Sequence, residues 1–316
     1  MGKILLYYKY IDIQNPVQLM HEQRRLCESL RLKGRILLAH EGINGTLGGS
    51  LESIEKYKEQ MYQHPLFHDI DFKESAGAPD YFPRLQIKVK KEIVHLGLDS
   101  QEVRASQGGI HLTPEEAHAL IEAQPQDLIL LDTRNDYESR VGTFDNEKVP
   151  NIVPNTKTFR EFPEYIDQNL EQFKDKQVLM YCTGGVRCER ASAYLKVKNV
   201  AKAVYQIKGG IHRYVEKFPD GHFRGKNYVF DGRVTTRINK DVLSTCEQCH
   251  IPYDEYTNCI NAECNRQIII CTTCVHIYHN TCSKQCLELV QQGKVNVRTI
   301  PHKVSLDDKS GDTCTN

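Results

Sequence analysis

Eight cysteines crowded near the carboxyl end constrain what this chain can fold into more than any other feature. They stand as four close pairs, Cys246/Cys249, Cys259/Cys264, Cys271/Cys274 and Cys282/Cys286, out of 12 cysteines in 316 residues. A segment this short buries too little apolar surface to hold itself together, so it calls for disulfides or metal. The start of the chain, Met1 to Tyr10, has too short an apolar stretch for an export signal and no small-residue cleavage site. That predicts a cytoplasmic protein, in which such thiol pairs bind metal rather than oxidise. Eight thiolates fill two tetrahedral zinc sites of four each. Sequential sites would join the first two pairs and the last two. We expect a crossed arrangement, first with third and second with fourth, because Cys246/Cys249 and Cys271/Cys274 share one spacing. His250, His276 and His279 could replace a thiol, but eight cysteines make that unnecessary. Closed sites of this kind are structural, since no position is left for water or substrate. The competing reading is a set of unligated thiols.

Lysine plus arginine total 41, and so do aspartate plus glutamate. This balance disfavours a disordered polyelectrolyte and a basic nucleic-acid wrapper, so any RNA contact must be local. No apolar run reaches the 18 or so residues that span a bilayer, and no membrane partner is expected.

Residues 1–98 read as an α+β unit with the order βαββαβ, the ferredoxin-like split motif. Its strands are placed at Ile4–Tyr8, Gly34–Ala39, the return after His40-Glu41-Gly42-Ile43-Asn44-Gly45, and Leu85–Lys90, with a helix over Leu51–Gln63. Residues 99–124 read as a linker and the first helix of the next domain, a helix that Thr113-Pro114-Glu115-Glu116 starts with a capping box. Residues 125–220 alternate apolar strands (Leu128–Leu131, Val178–Tyr181, Ala203–Ile207) with helices, the pattern of an α/β domain with a parallel sheet. Residues 221–316 form a carboxyl-terminal extension that contains the cysteine segment 246–286.

In parallel sheets the loops at the carboxyl ends of strands carry the chemistry, and Cys182 opens such a loop. Cys182-Thr183-Gly184-Gly185-Val186-Arg187 runs from strand to helix, starting with a thiol and ending with a guanidinium. Such a loop turns backbone N–H groups and a helix N-terminus onto one spot, which stabilises an anion there. Cys182 is therefore expected as a thiolate nucleophile, its pKa lowered by the helix and Arg187. Gly184 and Gly185 leave room for the curl and for a substrate. A buried packing thiol is the bland alternative. Cys188, one residue past the loop, reads equally as a resolving thiol or as helix packing. Asp132 and Arg134 at the preceding strand end could orient the loop, but an ion pair of structural role is favoured. His212 is expected to be a surface or capping residue. Arg84, Lys88 and Lys90 are candidate RNA contacts, with Lys88 and Lys90 on one face of a strand. Lysines guarding a strand edge are the alternative, because residues 1–98 hold only 14 basic against 12 acidic side chains.

The Cys182–Arg187 loop, Asp132-Thr133-Arg134 and the Gly209-Gly210 turn resemble the rhodanese superfamily. The six-residue loop is similar to that of sulfur-transferring rhodaneses, whereas their phosphatase relatives use a loop one residue longer. Together with His40–Gly45 and Tyr228-Val229-Phe230-Asp231-Gly232-Arg233-Val234, the segment Cys182–Glu189 resembles the rhodanese-like tRNA uridine(34) hydroxylases. The resemblance covers essentially the whole chain and implies an acylphosphatase-like domain, a rhodanese domain and a cysteine-bearing tail. It also implies oxygen-dependent hydroxylation of the wobble uridine to 5-hydroxyuridine, with tRNA bound through its anticodon region and Cys182 essential. Molecular oxygen is then a co-substrate, and no organic cofactor is expected. The loop by itself predicts a sulfurtransferase with a persulfide on Cys182. A non-catalytic scaffold built on the zinc tail is a third possibility.

Overall fold

The computed structural model describes residues 2–78 and 80–298; Cys314 lies outside them. The amino-terminal unit comprises β1 (Gly2–Tyr10), α1 (Pro16–Ser29), β2 (Lys33–Ala39), β3 (Gly42–Ser50), α2 (Leu51–Gln63), β4 (Asp71–Gly77) and β5 (Leu85–Val89). Its sheet has the order β4-β1-β3-β2-β5. Period-two alternation in β1 sends Leu5 and Tyr7 into the core, where they meet Leu19 and Cys27 of α1 and Ile54, Tyr57 and Met61 of α2. Leu6, Tyr8 and Tyr10 therefore belong to the opposite face, which no helix of this unit covers.

The first four strands in the sheet order have the ferredoxin-like arrangement, but the strand that closes it is Asp71–Gly77 rather than Leu85–Val89. Leu85–Val89 is an added edge strand, parallel to β2. The closing strand escapes a hydrophobicity reading because Phe72 is its only large apolar residue and its neighbour Lys73 is itself buried, 2% exposed.

The central domain comprises β6 (Ile110–Leu112), α3 (Pro114–Ala123), β7 (Leu128–Asp132), α4 (Asp136–Ser139), β8 (Gly142–Phe144), β9 (Asn151–Ile152), α5 (Phe162–Gln168), α6 (Leu170–Phe173), β10 (Gln177–Tyr181), α7 (Val186–Lys198), β11 (Ala203–Ile207) and α8 (Gly210–Lys217). Its parallel sheet has the order β6-β11-β10-β7-β9. Buried layers on both faces explain why β7 and β10 read as unbroken apolar runs. The capping box at Thr113 forms, with Glu116 reaching back to the Thr113 amide at 2.8 Å. The stretch expected as a linker contains a 3-10 turn at Ala105–Gln107 and the strand β6, which pairs with β11. Ile110 is 60% exposed, so this edge strand left no apolar pattern to read.

The remaining elements are β12 (Phe223–Tyr228), β13 (Thr235–Arg237), β14 (Tyr256–Asn258), β15 (Gln267–Ile269), α9 (Thr272–Tyr278) and α10 (Lys284–Gln291). The cysteine-rich segment docks on the central domain. The Tyr256 hydroxyl donates to the Tyr137 carbonyl at 2.6 Å, and Arg140 pairs with Glu247 at 3.1 Å. Among the described residues no helix is long and apolar enough to cross a membrane.

Candidate active site and metal centres

β10 delivers Cys182 to the mouth of the parallel sheet, where its side chain is 1% exposed. The Gly185 amide donates to its Sγ at 3.1 Å. Burial pushes the thiol pKa up, but a hydrogen bond from the Cys188 thiol, the Arg187 charge and the Cys188 and Arg187 amides outweigh it and lower the value to about 5. Cys182 is thus a thiolate at neutral pH, and burial together with the same pairing keeps Cys188 protonated, with Thr133 Oγ1 3.5 Å from its sulfur.

Two packing contacts shape the loop. Gly210 lies against its underside: a Cβ there would fall 2.3 Å from the Cys182 carbonyl oxygen and 2.8 Å from the Gly185 nitrogen. That proximity lets the Ile211 and His212 amides donate to the carbonyls of Cys182 and Thr183, at 2.9 and 3.0 Å. From the other side comes the amino-terminal unit. A Cβ on Gly184 would meet Leu6 at 2.9 Å, and one on Gly185, whose φ is +102°, would meet the Tyr8 hydroxyl at 2.7 Å. The double glycine is needed for the approach of β1 as well as for the curl.

Arg187 is held by a partner the sequence did not announce. Glu138, fully buried in α4, receives Nη1 at 2.5 Å and Nη2 at 2.7 Å, and also accepts from the Thr183 hydroxyl at 3.3 Å and the Asn135 amide at 3.1 Å. A turn after the Asp132-Thr133-Arg134 strand end was the available signal, but it did not single out which carboxylate folds back. Asp132 and Arg134 pair with each other, both fully buried, and Arg134 also donates to the Gly142 carbonyl at 2.7 Å. They brace the end of β7 against β8.

In front of the thiolate lies a cavity of about 1050 Å³ between the two domains. The uncovered face of the amino-terminal sheet forms one wall, and the loop with Phe230 and Arg233 forms the other. Phe230 is 49% exposed and carries the Arg187 guanidinium 5.7 Å from its ring centre. Arg233 is tied to Asp231 at 2.6 Å. Arg35, Arg84, Lys90, Lys91 and Arg160 also line the cavity, and none of them makes a salt bridge among the described residues. Lys88, on β5, is exposed but stands outside the lining. His212 is not a surface residue. It forms part of the cavity wall with a side chain 16% exposed, and burial lowers its pKa, which keeps the imidazole neutral at pH 7.

The His40–Gly45 motif comprises the β2–β3 turn and the start of β3, where Glu41 accepts the Ile93 amide at 2.7 Å and lies 3.4 Å from Arg190 of α7, while Asn44 donates to the Ile93 carbonyl at 3.0 Å.

The eight tail cysteines gather into two groups, Cys246/Cys249/Cys271/Cys274 and Cys259/Cys264/Cys282/Cys286, which is the crossed arrangement. Sulfur pairs lie 3.6 Å (Cys249–Cys271), 3.5 Å (Cys264–Cys282) and 3.6 Å (Cys282–Cys286) apart. A zinc–sulfur bond of about 2.3 Å in a tetrahedron requires edges of about 3.8 Å, so the donor set fits zinc closely. His250, His276 and His279 belong to neither group. A third cluster brings together His118, Glu122 and His222. The Asn146 amide donates to His222 Nδ1 at 3.4 Å, which leaves the proton of the neutral ring on Nε2, 2.6 Å from Glu122.

Residues 2–93 match the UPF0176 acylphosphatase-like domain, residues 113–217 the rhodanese-like domain and residues 224–287 the rhodanese carboxyl-terminal segment. The chain is 41% identical over 300 residues to the tRNA uridine(34) hydroxylase of Corynebacterium jeikeium (strain K411), covering 92% of this chain and 96% of that protein. The chain belongs to the tRNA uridine(34) hydroxylase family. Another relative of that name, from Onion yellows phytoplasma (strain OY-M), is 40% identical over 289 residues, covering 90% of this chain and 91% of that one. The three matched segments take in both walls of the cavity and all eight tail cysteines.

Proposed function

We propose that this protein hydroxylates C5 of the wobble uridine of tRNA, using the Cys182 thiolate and molecular oxygen. The observation that carries the reading is a buried thiolate facing a cavity whose Arg35, Arg84, Lys90, Lys91 and Arg160 lack carboxylate partners among the described residues. In a chain with no net charge, cations concentrated there favour phosphates of an anticodon loop. The exposed Phe230 ring offers a face for a base turned out of its stack.

In the proposed chemistry the Cys182 sulfur bonds to C6 of uracil, and the C5=C6 electrons move toward the C4 carbonyl, which makes C5 electron-rich. C5 then gains oxygen and loses its proton as the C6–S bond breaks. One oxygen atom enters the product; the other is reduced to water by two electrons from an external reductant. We assign the proton's uptake to His212, a neutral imidazole in the cavity wall. Zinc in the two cysteine clusters would hold the tail folded and takes no part in these steps. A cytoplasmic location is consistent with this substrate.

Nucleoside mass spectrometry of tRNA from cells lacking the protein tests the reading. Wild-type protein should restore 5-hydroxyuridine and Cys182→Ala should not; restoration by the variant sinks it. The sulfur-transferring loop length and the amide-lined sulfur favour a second reading, persulfide transfer. Rapid thiosulfate:cyanide turnover without tRNA would support that reading instead.

A further inference from the structure

The thiolate cradle is completed by the neighbouring domain. Tyr10, at the end of β1, donates its hydroxyl proton to the Val186 carbonyl at 3.2 Å. That carbonyl shares a peptide unit with the Arg187 N–H, one of the amides acting on the Cys182 sulfur. Carbonyl and N–H of a trans peptide point in opposite directions, so a donor fixing the carbonyl from outside aims the N–H inward. It also polarises that N–H and strengthens its pull on the sulfur anion. Tyr8, two residues earlier on the same face, donates to Glu189 at 2.9 Å, and its hydroxyl lies against Gly185, whose amide donates to the sulfur at 3.1 Å. Burial pushes both phenol pKa values up, so both hydroxyls remain protonated donors.

The strand end is held in turn by the His40–Gly45 turn. The Ile11 and Ile13 amides donate to the Glu41 and His40 carbonyls at 3.0 and 2.9 Å. Gly42, with φ +149°, leaves no room for a Cβ beside the Lys9 carbonyl. Glu41 and Glu92 grip Arg190 of α7, the helix that begins at Val186, from the same side.

We infer that Tyr10, assisted by Tyr8, is a positioning residue for Cys182, and that the His40–Gly45 motif exists to hold Tyr10 at the loop. The role in turnover rests on the hydroxylase reading above; the effect on the thiolate does not. Full-length Tyr10→Phe and Tyr8→Phe proteins are alkylated with iodoacetamide across pH, following the Cys182 peptide by mass spectrometry. Loss of one such hydrogen bond should raise the Cys182 midpoint by about half to one pH unit, equivalent to a roughly 3- to 10-fold weaker hold on the anion. With tRNA, kcat should fall by a similar factor at low pH while KM stays unchanged. Tyr57→Phe is the control, a buried tyrosine bonded to Tyr7 and Gln23 away from the loop. It should lower stability without moving the midpoint. An unmoved midpoint in both folded variants overturns the inference, and so does an equal shift in Tyr57→Phe. A shifted midpoint in a protein whose wild type makes no 5-hydroxyuridine would retain the positioning and remove the hydroxylase reading.

Discussion

Replacing Glu138 by glutamine should move stability and thiol acidity in opposite senses. The substitution keeps the side chain's shape and removes its charge. In the wild type, Glu138 is fully buried and binds both terminal nitrogens of Arg187, at 2.5 and 2.7 Å, with Arg187 itself 7% exposed. Breaking one partner of such a pair costs about 3–5 kcal/mol, because the other charge stays buried without compensation. Taking about 3 kcal/mol and about 2–4 °C per kcal/mol for a domain of this size, the melting transition should fall by about 6–12 °C. Arg187 is also one of the groups that lower the Cys182 pKa to about 5, after the Cys188 thiol has opposed the effect of burial. With its counter-charge gone, Arg187 should act on the sulfur more strongly, so the midpoint for Cys182 alkylation should drop further. Differential scanning fluorimetry and the pH dependence of alkylation measure the two quantities on one sample. An unchanged melting transition would mean that Glu138 is not the counter-ion of Arg187, and a raised thiol midpoint would refute the electrostatic account of the loop.

In the wild type, Cys182 alkylation should rise through about pH 5 and stay flat from pH 6.5 to 8.5; a midpoint near 9 would contradict the cradle. Because the folded pKa lies below the unfolded value, this thiol's contribution to stability should be fully present above about pH 9 and lost as pH falls toward 5. Cys246→Ser and Cys271→Ser should each release the same zinc ion and Cys259→Ser the other, read by colorimetric titration; sequential pairing would instead group Cys246 with Cys259. Arg84→Ala and Lys90→Ala should each flatten the salt dependence of tRNA binding, lowering the slope of log K against log salt by about 0.7–1. Unchanged slopes would move the RNA path elsewhere.

Features governed by neighbours in sequence were legible. The Thr113 cap, the helix Leu51–Gln63 and the strand that carries Cys182 follow from local patterns and match the structure. The crossed cysteine pairing was also within reach, because Cys246/Cys249 and Cys271/Cys274 share one spacing. What escaped depends on distant partners. Asp71–Gly77 becomes a strand only because β1 pairs with it from Gly2 to Tyr8. Glu138 meets Arg187 across 49 positions, and no periodicity marks such a pair. His212 looked exposed until the amino-terminal sheet closed the cavity in front of it. Tyr8 and Tyr10 lie between these cases. Alternation already separates them from Tyr7, but nothing local says that their uncovered face will meet another domain.

The crossed cysteine clusters have a consequence for assembly. Cys259 and Cys264 lie inside the loop that joins Cys249 to Cys271, and Cys271 and Cys274 lie inside the loop that joins Cys264 to Cys282. Whichever ion binds first therefore pins the middle of the loop that the second ion must close. The second closure then involves shorter free segments and loses less chain entropy. Metal uptake by this tail is thereby cooperative even if the two ions never interact, and singly loaded chains should be scarce at every stage of zinc titration.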